Sequence, residues 1–478
     1  MRYKKLTLSL FLACVILLGL ILPFGSSSLA QNQETSISKN IKRTDEETRE
    51  ELKETEVLKK EKKNFVYDFG GWITSYFWRY EDRDGRKDNT SVRNTNYQDL
   101  RLWLKSTLFQ KHLLYLRIKN SYISVRDTSS SYSGIADDFD GPHLDLAYLN
   151  LALFNPCRFI VGRQHLFLGK GIAYNQIHDG VQLNADYPAV SLKIFCAKTK
   201  PREHHIDFSI PGYDKKGWQL FSGMQVSAIK NSNLVPYLYF LYEKDHPKED
   251  PEDLTQDYNY DAMFYGSGIK GKTGKNLSWW LEAIKETGES YTDAYSVYPE
   301  KKNIDAWATV AGAKYSFECP THPIVDIEYA WGSGDKDRQS TTNTSGGGNL
   351  YNDDTGFQYF GYYFSGYRLD TRLSNIQIYR LGLSLIPLEK FKFGKNILIG
   401  AKFFVYRKDK KSAGIYEDTP TPGISDDIGK EINLYLYWLI TPKLTWAVRY
   451  GTFFPGGAYS GQTDAATQYF NTYLSLKF

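Results

Sequence analysis

The sequence predicts an all-β protein: a transmembrane antiparallel up-and-down β-barrel of about 18 strands, with short periplasmic turns and long extracellular loops. Three observations carry this. From Phe65 to Phe478, segment after segment alternates apolar with polar side chains, the period of a strand with two unlike faces. Short turns and long polar loops alternate between those segments, which is the hairpin rhythm of outer-membrane barrels. An export signal opens the chain, and no later stretch reaches the ~20 apolar residues of a spanning helix.

Composition alone would mislead. The 478 residues are 24% charged and 15% aromatic with a mean hydropathy of −0.47. In a barrel, lipid-facing and lumen-facing residues cancel in such an average. The 37 Tyr, 27 Phe and 38 Gly suit strands, turns and interfacial girdles. A net charge of +4 is too small to point to nucleic acid.

At the amino terminus, Arg2, Lys4 and Lys5 precede an apolar run from Leu6 to Phe24, and Ser28-Leu29-Ala30 offers small residues for cleavage. Residues 1–30 are therefore expected to be a signal peptide, with a retained membrane helix as the alternative. Residues 31–64 are nearly all polar or charged and cannot build a core, so a helical or disordered periplasmic arm is expected. Three cysteines remain after cleavage. They make no disulfide framework, although one pair, Cys157 with Cys196, stays open.

The barrel region, 65–478, shows its strands by parity. Leu100, Leu102 and Leu104 alternate with Arg101, Trp103 and Lys105, and Leu114, Leu116 and Ile118 with Tyr115, Arg117 and Lys119. Val325, Ile327 and Tyr329 stand against Asp326 and Glu328. In the closing segment Phe478, Leu476 and Leu474 oppose Lys477, Ser475 and Tyr473. That last strand should close on the one near Phe65 and serve as the handle for the barrel-assembly machinery. Short turns are expected near Gln110, Asn155, Tyr187, Asn231, Gly274, Cys319 to His322, Leu388 and Pro442. Long loops are expected at 81–95, 126–141, 198–216, 245–257, 289–302, 334–369, 409–428 and 455–464.

With the apolar set facing lipid, the alternate set lines the lumen. Its cations are Arg101, Lys105, Arg117, Lys119, Lys193, Lys314, Arg372, Arg380, Lys402 and Arg449. Its acids are Asp68, Glu282, Asp326, Glu328, Asp370 and Glu431. An excess of cations in a narrow low-dielectric channel concentrates anions. Tyr115, Trp280, Tyr435 and Tyr437 offer rings for stacking on sugars. The plainer reading is that these charges pair across the lumen and stiffen the barrel. Parity fails around Phe159 to Gln164, where Gly162 permits a bulge.

Gly162-Arg163-Gln164 followed by Asp179-Gly180-Val181, together with Asp370-Thr371-Arg372-Leu373 and Arg380-Leu381-Gly382-Leu383, resembles the alginate export family of outer-membrane barrels. The resemblance implies an eighteen-stranded barrel whose basic lumen passes an anionic polyuronate. It makes Arg163, Arg372 and Arg380 candidate polymer contacts. The family's exporter has a long periplasmic turn able to plug the pore, whereas every turn expected on that side here is short.

An enzyme is not expected. His204-His205 with Asp207 falls in a loop, Asp82, Asp84 and Asp88 lack the closing Glu of a calcium loop, and Gly346 to Gly348 lack the Lys of a phosphate loop. Neither a metal nor a cofactor is called for. The expectation is a bacterial outer-membrane channel for anionic solutes or polysaccharide, in contact with membrane lipid and lipopolysaccharide. A general diffusion porin and a structural or adhesion barrel blocked by the Gly334 to Leu369 loop remain open alternatives.

Overall fold

A computed structural model describes residues 65–81, 92–129, 132–199, 218–228, 233–246, 260–291, 300–338, 349–391, 394, 396–415, 425–459 and 465–478. The expected signal peptide and arm lie outside these residues. So do the His204-His205 pair, the Asp82 to Asp88 group and Gly346 to Gly348.

Eighteen strands follow in chain order. The first six are β1 (Phe65–Glu81), β2 (Val92–Leu108), β3 (His112–Ser129), β4 (Tyr132–Phe154), β5 (Cys157–Phe167) and β6 (Asn175–Asp186). Next come β7 (Val190–Lys198), β8 (Trp218–Ala228), β9 (Leu234–His246), β10 (Tyr260–Thr273), β11 (Leu277–Tyr291) and β12 (Lys301–Ser316). The circuit ends with β13 (Ile324–Gly332), β14 (Ile376–Leu385), β15 (Ile397–Lys408), β16 (Asp427–Thr441), β17 (Leu444–Pro455) and β18 (Thr467–Lys477). Each strand pairs antiparallel with its chain neighbours, and β1 pairs with β18 from Trp72↔Lys477 to Glu81↔Gln468. Beyond that ladder, the Gly71 amide donates to the Phe478 carbonyl at 3.1 Å and the Phe478 amide to Gly71 at 2.9 Å. Closure removes the sheet edge that would otherwise recruit other strands.

Parity fixes the two faces. On β18, Tyr469, Asn471, Tyr473 and Ser475 are buried inside, while Leu474, Leu476 and Phe478 are exposed on the outer wall. The same outer wall carries Ile73, Leu281, Ile327, Leu381, Leu383, Ile432 and Leu434. An apolar belt of this extent belongs in hydrocarbon, not water.

Three loop expectations need correction, and the first is the turn near Leu388, where the connection runs over residues 386–396 and is not short. Residues 126–141 are not a loop: β3 and β4 continue through them, with only 130–131 between. The Asp- and Ser-rich tip hides the alternation, as expected where a hairpin stands clear of the apolar belt and its outer face need not be greasy. In addition, β5 and β6 are joined by residues 168–174, the ninth long-side connection, absent from the expected set. Cys157 and Cys196 are both free thiols. They sit on β5 and β7 with β6 between, opposite Ala185 and Val181 respectively, so the open pairing is excluded.

The β5–β6 hairpin does not stay in the wall. Pairing of β4 with β5 stops at Ala147↔Arg163, and pairing of β6 with β7 stops at Asp179↔Lys198. Yet β5 and β6 remain paired with each other up to Phe167↔Asn175. Gly162, with φ +118°, marks the departure; that backbone conformation is open to glycine and strained for other residues. Beyond it the hairpin turns into the barrel. The connection between β13 and β14 does the same, burying Phe357, Tyr359, Phe360, Tyr363, Tyr367, Leu369 and Leu373.

Candidate channel lumen

The two inward segments meet. Phe360 donates its amide to the Ala173 carbonyl at 3.0 Å and Tyr362 to Gly171 at 2.9 Å. At Gly361 a Cβ would lie 2.1 Å from the carbonyl oxygens of Gly171 and Ile172, so only glycine allows this approach. Tyr174 stacks on Phe195 and packs against Phe221 of the wall.

Wall carboxylates anchor both segments. Glu282 accepts the Lys170 amide at 2.7 Å and the hydroxyls of Tyr237 and Tyr239. Glu328 accepts from Tyr363 Oη at 3.0 Å, Trp280 Nε1 at 2.8 Å and Lys170 Nζ at 3.4 Å. Glu286 takes the Gln358 amide at 2.8 Å. Glu431 takes three successive amides, Tyr367 at 2.7 Å, Arg368 at 2.8 Å and Leu369 at 2.9 Å. Buried carboxylates persist because each collects donors that satisfy its charge. Of the acids assigned to the lumen, Glu282, Glu328 and Glu431 therefore work as docking points for chain folded inside it, while Asp326 pairs with Arg380 of the wall. Asp370 is itself in this loop and not on a strand.

The candidate cations divide by their surroundings. Arg101 pairs with Asp99 at 3.0 Å and Asp145 at 3.3 Å, and Arg117 pairs with Asp145 at 2.6 Å. Lys119 reaches Asp140 at 3.5 Å, and Arg380 reaches Asp326 at 3.2 Å and Glu328 at 2.9 Å. Arg163 forms two bonds to Asp179, at 2.8 and 3.0 Å. It shares strand parity with the exposed Val161 and Val181, but it sits where the hairpin leaves the wall, so parity no longer reports lumen or lipid there. Lys105 faces the same side as Arg101, in register with Asp68 and Tyr115. Lys314 is exposed near the short-turn rim, opposite Asp326.

Another group is set among rings and carbonyls. Lys193 donates to the Phe167 carbonyl at 3.2 Å and lies 3.9 Å from that ring. Lys402 lies 4.8 Å from the Phe364 ring and 5.7 Å from Tyr435. Arg372 belongs to the inward loop, not a strand; it donates to the Tyr359 carbonyl and lies over that ring at 4.3 Å. Arg449 donates to Tyr437 Oη at 3.0 Å and stands 5.2 Å from the Tyr473 ring, 5.3 Å from Tyr437 and 5.9 Å from Tyr367. The inner wall from β17 through β18 to β2 carries a second aromatic cluster of Tyr76, Trp78, Tyr97, Tyr469 and Tyr473.

Sequence parity missed several participants. Asp99, Asp145, Glu243 and Glu286 also point inward, and Asp99 and Asp145 pair with the candidate cations Arg101 and Arg117. Asp145 is hidden by a bulge: Arg117 pairs with Leu146 and Ile118 with Leu144, leaving Asp145 as the extra residue. Lys170 was missed because it lies at the tip of the unexpected hairpin.

The inward loop carries a carboxyl whose titration is moved toward neutral pH. Asp335 is buried and next to Asp337, which together push its carboxyl up to about 6, although it accepts amides from Thr355 at 2.8 Å and Asp337 at 2.9 Å. The docked loop thus binds this proton more tightly than a free chain would. Its contribution to docking is complete below the ordinary aspartate range and is lost as pH rises through about 6. Proteolysis of the loop should accordingly be slower at pH 5 than at pH 7, and Asp335→Asn should flatten the difference. A loop cleaved equally at both pH values would refute this.

An 18-stranded closed antiparallel barrel with inward loops is the architecture of a bacterial outer-membrane channel, and solved structures share it. OccK8 (OprE) of Pseudomonas aeruginosa superposes with a TM-score of 0.52 at 10% identity, over 86% of this chain and 98% of that one. OccK7 (OpdD) of the same organism gives 0.51 at 11%, with the same coverages. OccK2 (OpdF), solved in complex with glucuronate, gives 0.50 at 12%, again over 86% and 98%. No curated protein sequence matches. The alginate export family model matches residues 68–472, and the chain belongs to that family.

Proposed function

We propose that this channel passes anionic solutes, including an anionic polysaccharide such as a polyuronate, along the aromatic side of the lumen. The observation that carries the reading is Arg449. Among the described residues its hydrogen-bond partner is a phenol and not a carboxylate, so its charge is not neutralised locally. Three tyrosine rings hold the guanidinium through cation–π attraction, worth ~0.5–2 kcal/mol each. A fixed cation flanked by rings suits a carboxylated sugar: the guanidinium takes the carboxylate and a ring face takes the pyranose. OccK2, of the same fold, holds glucuronate, a monomer of this chemistry.

The paired cations contribute less, because Arg101, Arg117, Lys119 and Arg380 already face carboxylates. Selectivity in this reading comes from Arg449 and the rings around it and not from a uniformly basic wall. Reversal potentials across a KCl gradient test it. The wild type should prefer anions, Arg449→Gln should reduce that preference severalfold, and polyuronate should block the variant less. A wild-type channel preferring cations would overturn the proposal, and a barrel that never conducts would favour the blocked structural barrel.

A further inference from the structure

The outer wall carries an abrupt change of chemistry on β14 to β17. Reading upward from the short-turn rim, one rung is Leu383, Ala401, Leu434 and Tyr450, and the next is Leu381, Phe403 and Ile432. The rung above is Tyr379, Val405, Lys430 and Phe454, and then Gln377, Arg407 and Asp427. Arg407 and Lys430 are both exposed, on the same face as Phe403 and Ile432. Their neighbours on the inner face, Tyr406 and Glu431, are fully buried, so the outward direction is unambiguous.

Height places them at the interface. The lower edge of the belt is marked by the Trp438–Trp446 pair. From Trp438 to Lys430 the strand rises roughly 20 Å, at ~3.3 Å per residue and a tilt of ~40°. That nearly spans the ~25 Å apolar band of an outer-membrane barrel. Tyr379 and Phe454, both exposed, flank Lys430 on its own rung as an aromatic girdle does. Lys430 and Arg407 thus stand where hydrocarbon gives way to headgroups, on the long-loop side.

Neither cation is within ion-pair distance of a carboxylate among the described residues, although Asp427 is the cross-strand partner of Arg407. Elsewhere on this rim two outward lysines are matched by acids, Lys244 with Asp261 and Lys285 with Asp305, while Lys198 lies over the Trp218 ring. We infer that Arg407 and Lys430 form a docking site for a phosphate of the outer-leaflet glycolipid, the lipid A moiety of lipopolysaccharide. The acyl chains would lie on Phe403, Ile432, Leu381 and Leu434, and the phosphate would take a bidentate guanidinium together with an ammonium.

Native mass spectrometry of the purified full chain, incubated in detergent with bisphosphorylated lipid A, tests this. The wild type should retain the lipid, and Arg407→Ala/Lys430→Ala should retain it at least tenfold less while keeping wild-type single-channel conductance. Dephosphorylated lipid A should be retained by the wild type at least tenfold less than the intact bisphosphorylated lipid. That arm stands even if the double variant fails to assemble. Equal retention of dephosphorylated lipid A, or of phosphatidylglycerol, would overturn the proposal.

Discussion

Replacing Glu431 with alanine is expected to release the inward loop and raise the single-channel conductance. Glu431 is fully buried on the inner face of β16 and accepts the amides of Tyr367, Arg368 and Leu369, with Tyr406 Oη at 3.2 Å as a fourth donor. Alanine would leave three backbone donors without an acceptor, at ~1–3 kcal/mol each. Undocking lets water satisfy them, so the 365–373 stretch should swing away from the wall. The β16 ladder with β15 and β17 does not use this side chain, and the barrel should persist. The rest of the loop keeps its attachments at Glu286 and Glu328, so the expected phenotype is a larger, noisier open state together with faster proteolysis of the loop. Glu431→Gln should fall between, because the amide oxygen still accepts but without charge assistance. Conductance unchanged in both variants would show that the loop is not held there.

What could be read from the sequence follows from what period two reports. It reports the two faces of a strand as long as that strand separates lipid from lumen. On β18 this assigned Tyr473 and Ser475 to the inside and Leu474, Leu476 and Phe478 to the outside, and it identified the closure partner near Phe65. It fails where that condition fails. Arg163 lies where a hairpin leaves the wall, so its parity names no compartment. The Phe357 to Tyr367 stretch looks like a polar loop with scattered aromatics, because a chain packed against the inside of a barrel has no lipid side to impose a period. Asp145 is lost to a one-residue bulge that inverts parity on β4 only until a second register shift, between His143 and Asp140, restores it. The role of the acids was invisible for a related reason: Glu282 and Glu431 are explained by amides from remote segments, and no local spacing records those contacts. The resemblance carried by the Gly162 and Asp370 motifs pointed to the right family. It did not show that Arg372 sits in a loop folded against Tyr359.

Asp145→Asn tests the electrostatic reading from the opposite direction to Arg449→Gln. The Asp145 carboxylate bridges Arg117 Nε at 2.6 Å and Arg101 Nη1 at 3.3 Å, and Arg101 keeps Asp99 as a second partner. Asparagine preserves the shape of the bulge and removes one negative charge from between two guanidinium groups. Breaking a buried pair on one side costs ~3–5 kcal/mol, so the variant should unfold at a lower temperature. Both arginines retain the Trp72 ring, 5.8 Å from Arg101 and 5.5 Å from Arg117, which should hold them on the inner face. The channel should then become more anion-selective, by a factor of a few in the permeability ratio, with the effect shrinking at high salt as screening sets in. Arg449→Gln should move the same ratio the other way. If the two variants shift it in the same direction, or neither shifts it, fixed charge on this side of the lumen does not govern what passes, and the loop constriction alone must do so.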